Sequence, residues 1–185
     1  MTEQTLSLES LKKEINDLKD KVQKVPENKD QLAIIVFSGD MDKVMASLII
    51  ATGAAAMGTE VTLFFTFWGT SVLKKDAPQK KEKLLLQKMF GWMMPKGPKK
   101  LPLSKMNFCG AGPKMMNVLM KKYNTASISE LIEVAEESEI QFYICQMSMD
   151  LMGIKKEEIQ PIKNLSYCGV AKFLEISDGG KTLFI

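Results

Sequence analysis

Three cysteines are the side chains in this sequence that are best able to carry chemistry. They stand at positions 109, 145 and 168, and the chain has no histidine. Without histidine, Ser-His-Asp and Cys-His catalysis and imidazole metal ligands are excluded. All 25 basic residues are lysine, which also excludes bidentate arginine clamps. Any reaction must use cysteine, carboxylate, lysine, hydroxyl or backbone groups.

The cysteine pattern is typical of free thiols. The number is odd, and no two of the cysteines form a C-x-x-C pair, so a disulfide framework is not indicated. Their wide intervals match no zinc or iron–sulfur pattern, and we expect neither a metal nor a cofactor. Each thiol has two interpretations, as a nucleophile or as a small core residue, because free cysteine is among the most buried residue types.

Composition indicates one soluble globular domain. The chain has 185 residues, 45% of them hydrophobic, and a net charge of +3, which is too balanced to suggest nucleic-acid binding. The first ten residues show no secretory signal, so we expect a reducing cytoplasm. The apolar runs at residues 44–59 and 61–73 are each too short to cross a bilayer, which favours a buried helix followed by a buried strand.

An N-terminal helix precedes this domain. Apolar residues recur at heptad spacing from Leu8 to Val25, and Pro26 and a polar linker follow. The helix either packs on its own domain or forms a short coiled coil between subunits. We divide the chain into a helix and linker at residues 1–28 and a globular domain at residues 29–185.

Strands and helices alternate through the globular domain. Strands are predicted at residues 32–37, 61–67, 140–145, 165–168 and 182–185, with a further short strand at 103–108. Helices are predicted at residues 41–57, 81–94, 113–122, 127–137 and 148–151, with another helical segment before the last strand. This order predicts an α/β fold with a mostly parallel sheet of about five strands and helices on both faces.

The predicted sheet places the thiols at one edge. In open parallel sheets the ligand site lies beyond the carboxyl ends of the strands. Cys145 and Cys168 each end a predicted strand, and Cys109 follows the short strand at 103–108. A helix start follows each of them, and helix amino termini favour a thiolate over a thiol.

Three other features have weaker interpretations. Gly110-Ala111-Gly112 resembles a phosphate loop but lacks the full glycine pattern, and Asp40 is placed to cap the helix that follows it. The chain also has 14 methionines, several of them around Phe90, Trp92 and Lys96. This Met-rich segment either fills the core or forms an adaptable surface for a partner or a membrane.

Residues 144–154, ICQMSMDLMGI, resemble the DsrE/DsrF-like family, in the branch often labelled peroxiredoxin-family or NADH-dehydrogenase-related. Residues 34–73, 93–107 and 169–175 extend the resemblance over most of the chain after the linker. The chain supports neither label, since it has no dinucleotide fingerprint and no arginine to activate a peroxide.

The resemblance implies a sulfur carrier or sulfurtransferase. It implies that Cys145 accepts sulfane sulfur as a persulfide or thiosulfonate and passes it to a TusA-like carrier or a rhodanese-like protein. Cys109 and Cys168 are candidate relay thiols. The resemblance also implies trimers or hexamers.

A non-catalytic adaptor is the alternative. In that interpretation the thiols are structural, and the Met-rich segment and N-terminal helix bind a protein partner or a membrane surface.

Overall fold

The computed structural model describes residues 12–16, 30–76 and 85–185, apart from the side chain of Trp92. These residues form an α/β fold around one sheet of five parallel strands, as predicted. The strands are β1 (Gln31–Val36), β2 (Glu60–Phe65), β3 (Gln141–Cys145), β4 (Leu165–Cys168) and β5 (Lys181–Phe184). Their order across the sheet is β4-β3-β2-β1-β5.

Six α-helices and four 3-10 turns connect the strands within the described part of the chain. The helices are α1 (Met41–Ala56), α2 (Leu85–Met93), α3 (Ala111–Lys122), α4 (Ile128–Glu137), α5 (Gln146–Met152) and α6 (Val170–Ser177). The 3-10 turns are Phe67–Leu73, Pro98–Lys100, Phe108–Gly110 and Lys156–Glu158. The predicted order of strands and helices is therefore confirmed from β1 onward, with one exception given below.

The β1-α1-β2 unit follows directly from its sequence. Strand β1 is almost wholly apolar, as expected of a strand covered on both faces, and Ile34 pairs with Leu63 of β2. Helix α1 ends before Gly58, whose φ of +86° is a conformation that glycine adopts without steric cost.

The two faces of the sheet carry different cores, because successive strand residues point to opposite sides. One face packs against α1 and α4 and holds the larger core, which includes Leu48, Leu63, Phe65, Leu131 and Phe142. The other face holds a small cluster of Ala33, Phe64, Cys145, Cys168 and Phe173, the last of these from α6. Cys145 and Cys168 thus lie under α6.

The predicted strand at residues 103–108 is wrong. Residues 101–107 form an irregular segment, and the 3-10 turn Phe108–Gly110 follows. Carbonyl groups and side chains of this segment bond to α1 instead of to a strand: the Met41 N–H donates to Pro102 O, and Ser104 donates to the Asp42 carboxylate.

Asp40 lies at the N-cap position that the sequence predicts, but its side chain makes no capping hydrogen bond to the helix. Asp40 occupies the N-cap of α1, but its carboxylate accepts hydrogen bonds from the Ser38 hydroxyl at 2.8 Å and the Lys43 ammonium at 2.9 Å. The carboxylate thus joins the turn before α1 to the first turn of the helix.

Helix α2 lies within the helix predicted at residues 81–94. Its sequence predicts an apolar face of Leu84, Leu85, Met89 and Trp92, but the described side chains of that face are solvent-exposed. Leu85 is 83% exposed and Met89 is 50% exposed, whereas Leu84 lies outside the described residues, as does the side chain of Trp92. Of the predicted N-terminal helix only residues 12–16 are described, and they are helical and exposed. In the described part of the chain, no helix has both the length and the apolar character that a membrane span requires.

Candidate functional site

Cys145 and Cys168 end neighbouring strands in the same register. Cys145 is the last residue of β3 and the N-cap of α5, and Cys168 is the last residue of β4. The two pair directly across the parallel ladder. Both are free thiols on the face of the sheet that α6 covers, so the structure brings two of the three predicted site residues together.

The pair shares its buried cluster with two aromatic rings. The ring of Phe173 in α6 stacks on Phe64 of β2 with 4.6 Å between centroids, and both rings belong to the same buried cluster as the thiols. Cys145 is 0% exposed and Cys168 is 9% exposed. A reagent therefore reaches Cys145 only if residues packed around it move.

The charges of Cys145 and Lys172 shift the pKa of Cys168 in opposite directions. Burial raises the pKa of the Cys168 thiol above its ordinary value of 9.0, and the negative charge of an ionised Cys145 raises it further. The Lys172 ammonium in α6 partly offsets this by lowering the same pKa. Cys168 is accordingly a protonated thiol at neutral pH.

A pair of hydroxyls that the sequence analysis did not single out lies beside Cys145. Thr66 follows Phe65, the register partner of Ile144, so it sits next to Cys145 along the carboxyl edge. The Thr66 and Ser148 hydroxyls are 2.9 Å apart and buried, and they join the end of β2 to the first turn of α5. In the sequence, Thr66 directly follows the apolar run of β2, and Ser148 stands at the start of the helix predicted at residues 148–151.

Cys109 lies apart from the pair, in the segment that contacts the amino end of α1. It is exposed and does not end a strand, contrary to prediction. Its φ is +53°, and Met106 at +59° and Phe108 at +39° are also left-handed. Such values are uncommon for residues other than glycine, and they mark a locally strained backbone.

Close packing accounts for one glycine of the Gly110-Ala111-Gly112 motif. A side-chain carbon at Gly112 would stand 2.0 Å from the carbonyl oxygen of Met106, so only glycine fits there. The motif thus holds the Cys109 segment against α3.

The described residues show no group of metal-binding side chains, and the open cleft of the fold has no cysteine in its described lining. Among the described residues, no three histidine, cysteine, aspartate or glutamate side chains are grouped as metal ligands would be. An open cleft of about 940 Å³ is lined by Met41, Leu101, Met120 and Lys121 among others, and its described lining contains none of the cysteines. The chemistry that the site offers is that of the thiols themselves.

Comparison with known proteins gives concordant matches. The DsrE/DsrF/DrsH-like family model matches residues 28–184. Uncharacterized protein YrkE of Bacillus subtilis (strain 168) is 46% identical over 160 residues, which are 86% of this chain and 99% of that protein. Sulfur carrier protein DsrE2 of Allochromatium vinosum is 37% identical over 151 residues, covering 80% of this chain and 92% of that protein.

Among solved structures, the ychN protein from E. coli aligns with 84% of this chain and 98% of its own, at 8% identity and a TM-score of 0.45.

Proposed function

Because the chain belongs to the DsrE/DsrF/DrsH-like family, we propose that it is a sulfur-transfer protein that holds sulfane sulfur on Cys145. A relative that covers most of the chain is named a sulfur carrier. The reaction is attack by a thiolate on a sulfane sulfur with a thiolate leaving, so it requires neither a histidine base nor a metal. A chain whose candidate reactive groups are three free thiols can perform it.

The in-register thiol pair is the observation that supports Cys145 as the storage site. Cys145 is fully buried at the carboxyl end of β3, with a second thiol beside it on β4. A persulfide in this position would be shielded from small thiols in solution, which otherwise remove the outer sulfur by exchange. Storage and controlled release are what a carrier requires.

Cys109 is the thiol that a partner protein can reach without any movement of the fold. It is exposed, whereas Cys145 is buried. We assign to Cys109 the role of a relay thiol in exchange with the donor or acceptor. The partners we propose are TusA-like or rhodanese-like proteins, in a cytoplasmic homo-oligomer.

Intact-mass measurement after incubation with inorganic polysulfide or thiosulfate tests the proposal. The wild type should gain sulfane sulfur, or a thiosulfonate with thiosulfate, and peptide mapping should place it on Cys145. Cys145→Ser should lose this adduct, while its circular dichroism spectrum stays unchanged because the substitution is nearly isosteric.

Cys109→Ser is the matched control, because it removes the exposed thiol and leaves the buried pair intact. We expect it to load more slowly than the wild type but still on Cys145. If Cys145→Ser loads sulfur at the wild-type rate and Cys109→Ser does not, Cys109 replaces Cys145 as the acceptor. A wild-type protein that gains no sulfur on any cysteine contradicts the sulfur-transfer proposal.

An adaptor is the second candidate, and the exposed apolar side of α2 favours it. Leu85 and Met93 are 83% and 66% exposed, and Lys96, Lys99 and Lys100 follow shortly after. An apolar segment with a basic collar suits an anionic membrane surface or a partner groove. Flotation with anionic liposomes tests it, and a protein that stays unbound and has one fast-reacting thiol contradicts it.

A further inference from the structure

Cys145 and Cys168 have the geometry of a dithiol that can close into a disulfide. They are register partners at the ends of adjacent parallel strands, so their Cα atoms lie about 4.8 Å apart in the hydrogen-bonding direction. This spacing is within the range of Cα separations that disulfides show. Their side chains leave the same face of the sheet and share one buried cluster.

Burial keeps thiols in solution away from Cys145, while Cys168 lies beside it. Cys145 is fully buried in a cluster that also holds Cys168, so a persulfide on Cys145 has Cys168, its register partner, as its near thiol. Cys109 lies in the segment against α1. The thiol that lies nearest to a sulfur stored on Cys145 is thus Cys168, in the same buried cluster.

We propose that Cys168 is a resolving thiol, which converts a persulfide on Cys145 into a Cys145–Cys168 disulfide and releases the outer sulfur as hydrosulfide. This inference rests on the proposed function, since it requires that Cys145 carry sulfane sulfur. It adds a second outcome to transfer, namely reductive release of sulfur inside the protein.

The step balances without an outside oxidant. The Cys168 sulfur bonds to Sγ of Cys145, and the bond between that Sγ and the outer sulfur breaks. The outer sulfur leaves with its electron pair and takes the Cys168 thiol proton, so a persulfide anion and a thiol become a disulfide and HS⁻. The outer sulfur is reduced and the Cys168 sulfur is oxidised, and a dithiol reductant restores the pair afterwards.

Two electrostatic effects act on Cys168 in this step. Burial raises the pKa of Cys168, so it starts as a thiol and must give up its proton in order to attack, since the thiolate is the nucleophile. The outer sulfur takes that proton as it leaves, and Lys172 favours the charged form of Cys168 that attacks.

The test follows the fate of loaded sulfur after the reagent is removed. The full-length wild type and the Cys168→Ser, Cys168→Ala and Cys109→Ser variants are loaded with inorganic polysulfide, desalted, and followed for sulfide release and intact mass. The wild type, and Cys109→Ser once its slower loading is complete, should release sulfide and lose both thiol hydrogens of the buried pair. Non-reducing peptide mapping should then show a Cys145–Cys168 cross-link that a dithiol reductant reverses.

The Cys168 variants should keep the persulfide and lose sulfide release, and the alanine variant separates loss of the thiol from any effect of a buried hydroxyl. If the Cys168 variants release sulfide at the wild-type rate, or the wild type keeps its persulfide without a cross-link, this inference is overturned and the carrier function stands. If no variant and no wild-type cysteine loads sulfur, the proposed function falls, and the inference falls with it.

Discussion

Phe173 is the residue of α6 that packs into the cluster of the buried thiols. Its ring is buried and stacks on Phe64, in the cluster that also holds Cys145 and Cys168. It belongs to an eight-residue helix, α6, whose neighbouring Leu174 is 60% exposed. One side chain thus fastens a short helix over the site.

Phe173→Ala should therefore make Cys145 and Cys168 react faster with a small thiol reagent. The substitution removes a buried ring and should cost about 3 kcal/mol of unfolding free energy, part of which lowers the cost of lifting α6. Labelling rates followed by mass spectrometry, with urea unfolding alongside, measure both effects. Leu174→Ala is the control on the same helix, and equal labelling rates in the two variants would contradict a role of Phe173 in shielding the thiols.

The raised pKa of Cys168 predicts how stability depends on pH. An unfolded chain loses this proton near the ordinary pKa of 9.0, whereas the folded chain keeps it to higher pH. The folded state then binds more protons in this range, so the free energy of unfolding falls as pH rises through it. Urea unfolding at several pH values should show a steeper fall for the wild type than for Cys168→Ser.

Tyr167 also contributes to the pH dependence of stability, but it does so equally in the wild type and in Cys168→Ser. Burial and the charge of Glu157 also raise the pKa of Tyr167, and this contributes a slope of the same sign. Both proteins contain Tyr167, so the difference between them isolates Cys168. Parallel slopes would show that Cys168 titrates in the folded protein as it does in the unfolded chain.

At the scale of elements, the capping box of α4 shows how local sequence starts a helix. The Glu130 N–H donates to the Ser127 hydroxyl at 3.3 Å, and the Ser127 N–H donates to the Glu130 carboxylate at 2.6 Å. Two amide donors that the helix cannot satisfy are thereby paired. Ser127-x-x-Glu130, at the start of the helix predicted at residues 127–137, is the sequence pattern of a capping box, and the structure confirms it.

Ser127→Ala should destabilise the protein by about 1 kcal/mol, because it removes the acceptor for the Glu130 N–H. Thermal or urea unfolding measures the loss. Hydrogen bonds from Ser127 hold the pKa of Glu130 below its ordinary value of 4.5, so the contribution of Glu130 is present above that pH and lost as pH falls. Ser129→Ala is the control, and a loss as large as that of Ser127→Ala would contradict the capping role.

For the whole molecule, the globular domain should fold without the N-terminal helix. The heptad stripe ends before Pro26, the first described strand begins at Gln31, and the family match covers residues 28–184. Deletion of residues 1–28 should leave one cooperative unfolding transition with a similar midpoint. Loss of cooperativity in urea would show that the helix is part of the core.

We also expect the full chain to form a homo-oligomer, through the heptad stripe from Leu8 to Val25 together with the family resemblance. Light scattering coupled to gel filtration measures the mass. The chain without residues 1–28 shows whether the helix contributes to assembly. A monomeric full chain at tens of micromolar would contradict this expectation.

The sequence by itself determined the type and order of the elements after the linker. Strands β1 to β5, helix α1 and the capping box of α4 follow from apolar runs and from residues a few positions apart, which act through local backbone geometry. The resemblance around Cys145 likewise depended on a contiguous stretch. The strand at 103–108 failed because its weak apolar pattern competes with contacts to α1.

Tertiary structure alone decided which thiols lie next to each other and which are exposed to solvent. Cys145 and Cys168 pair because β3 and β4 are neighbours in one register, and strand order and register depend on packing across the whole sheet. They share a buried cluster with Phe173 because α6 returns across the strands and places that ring on Phe64. Cys109 is separated from them because its segment binds α1, and no spacing along the chain encodes that contact.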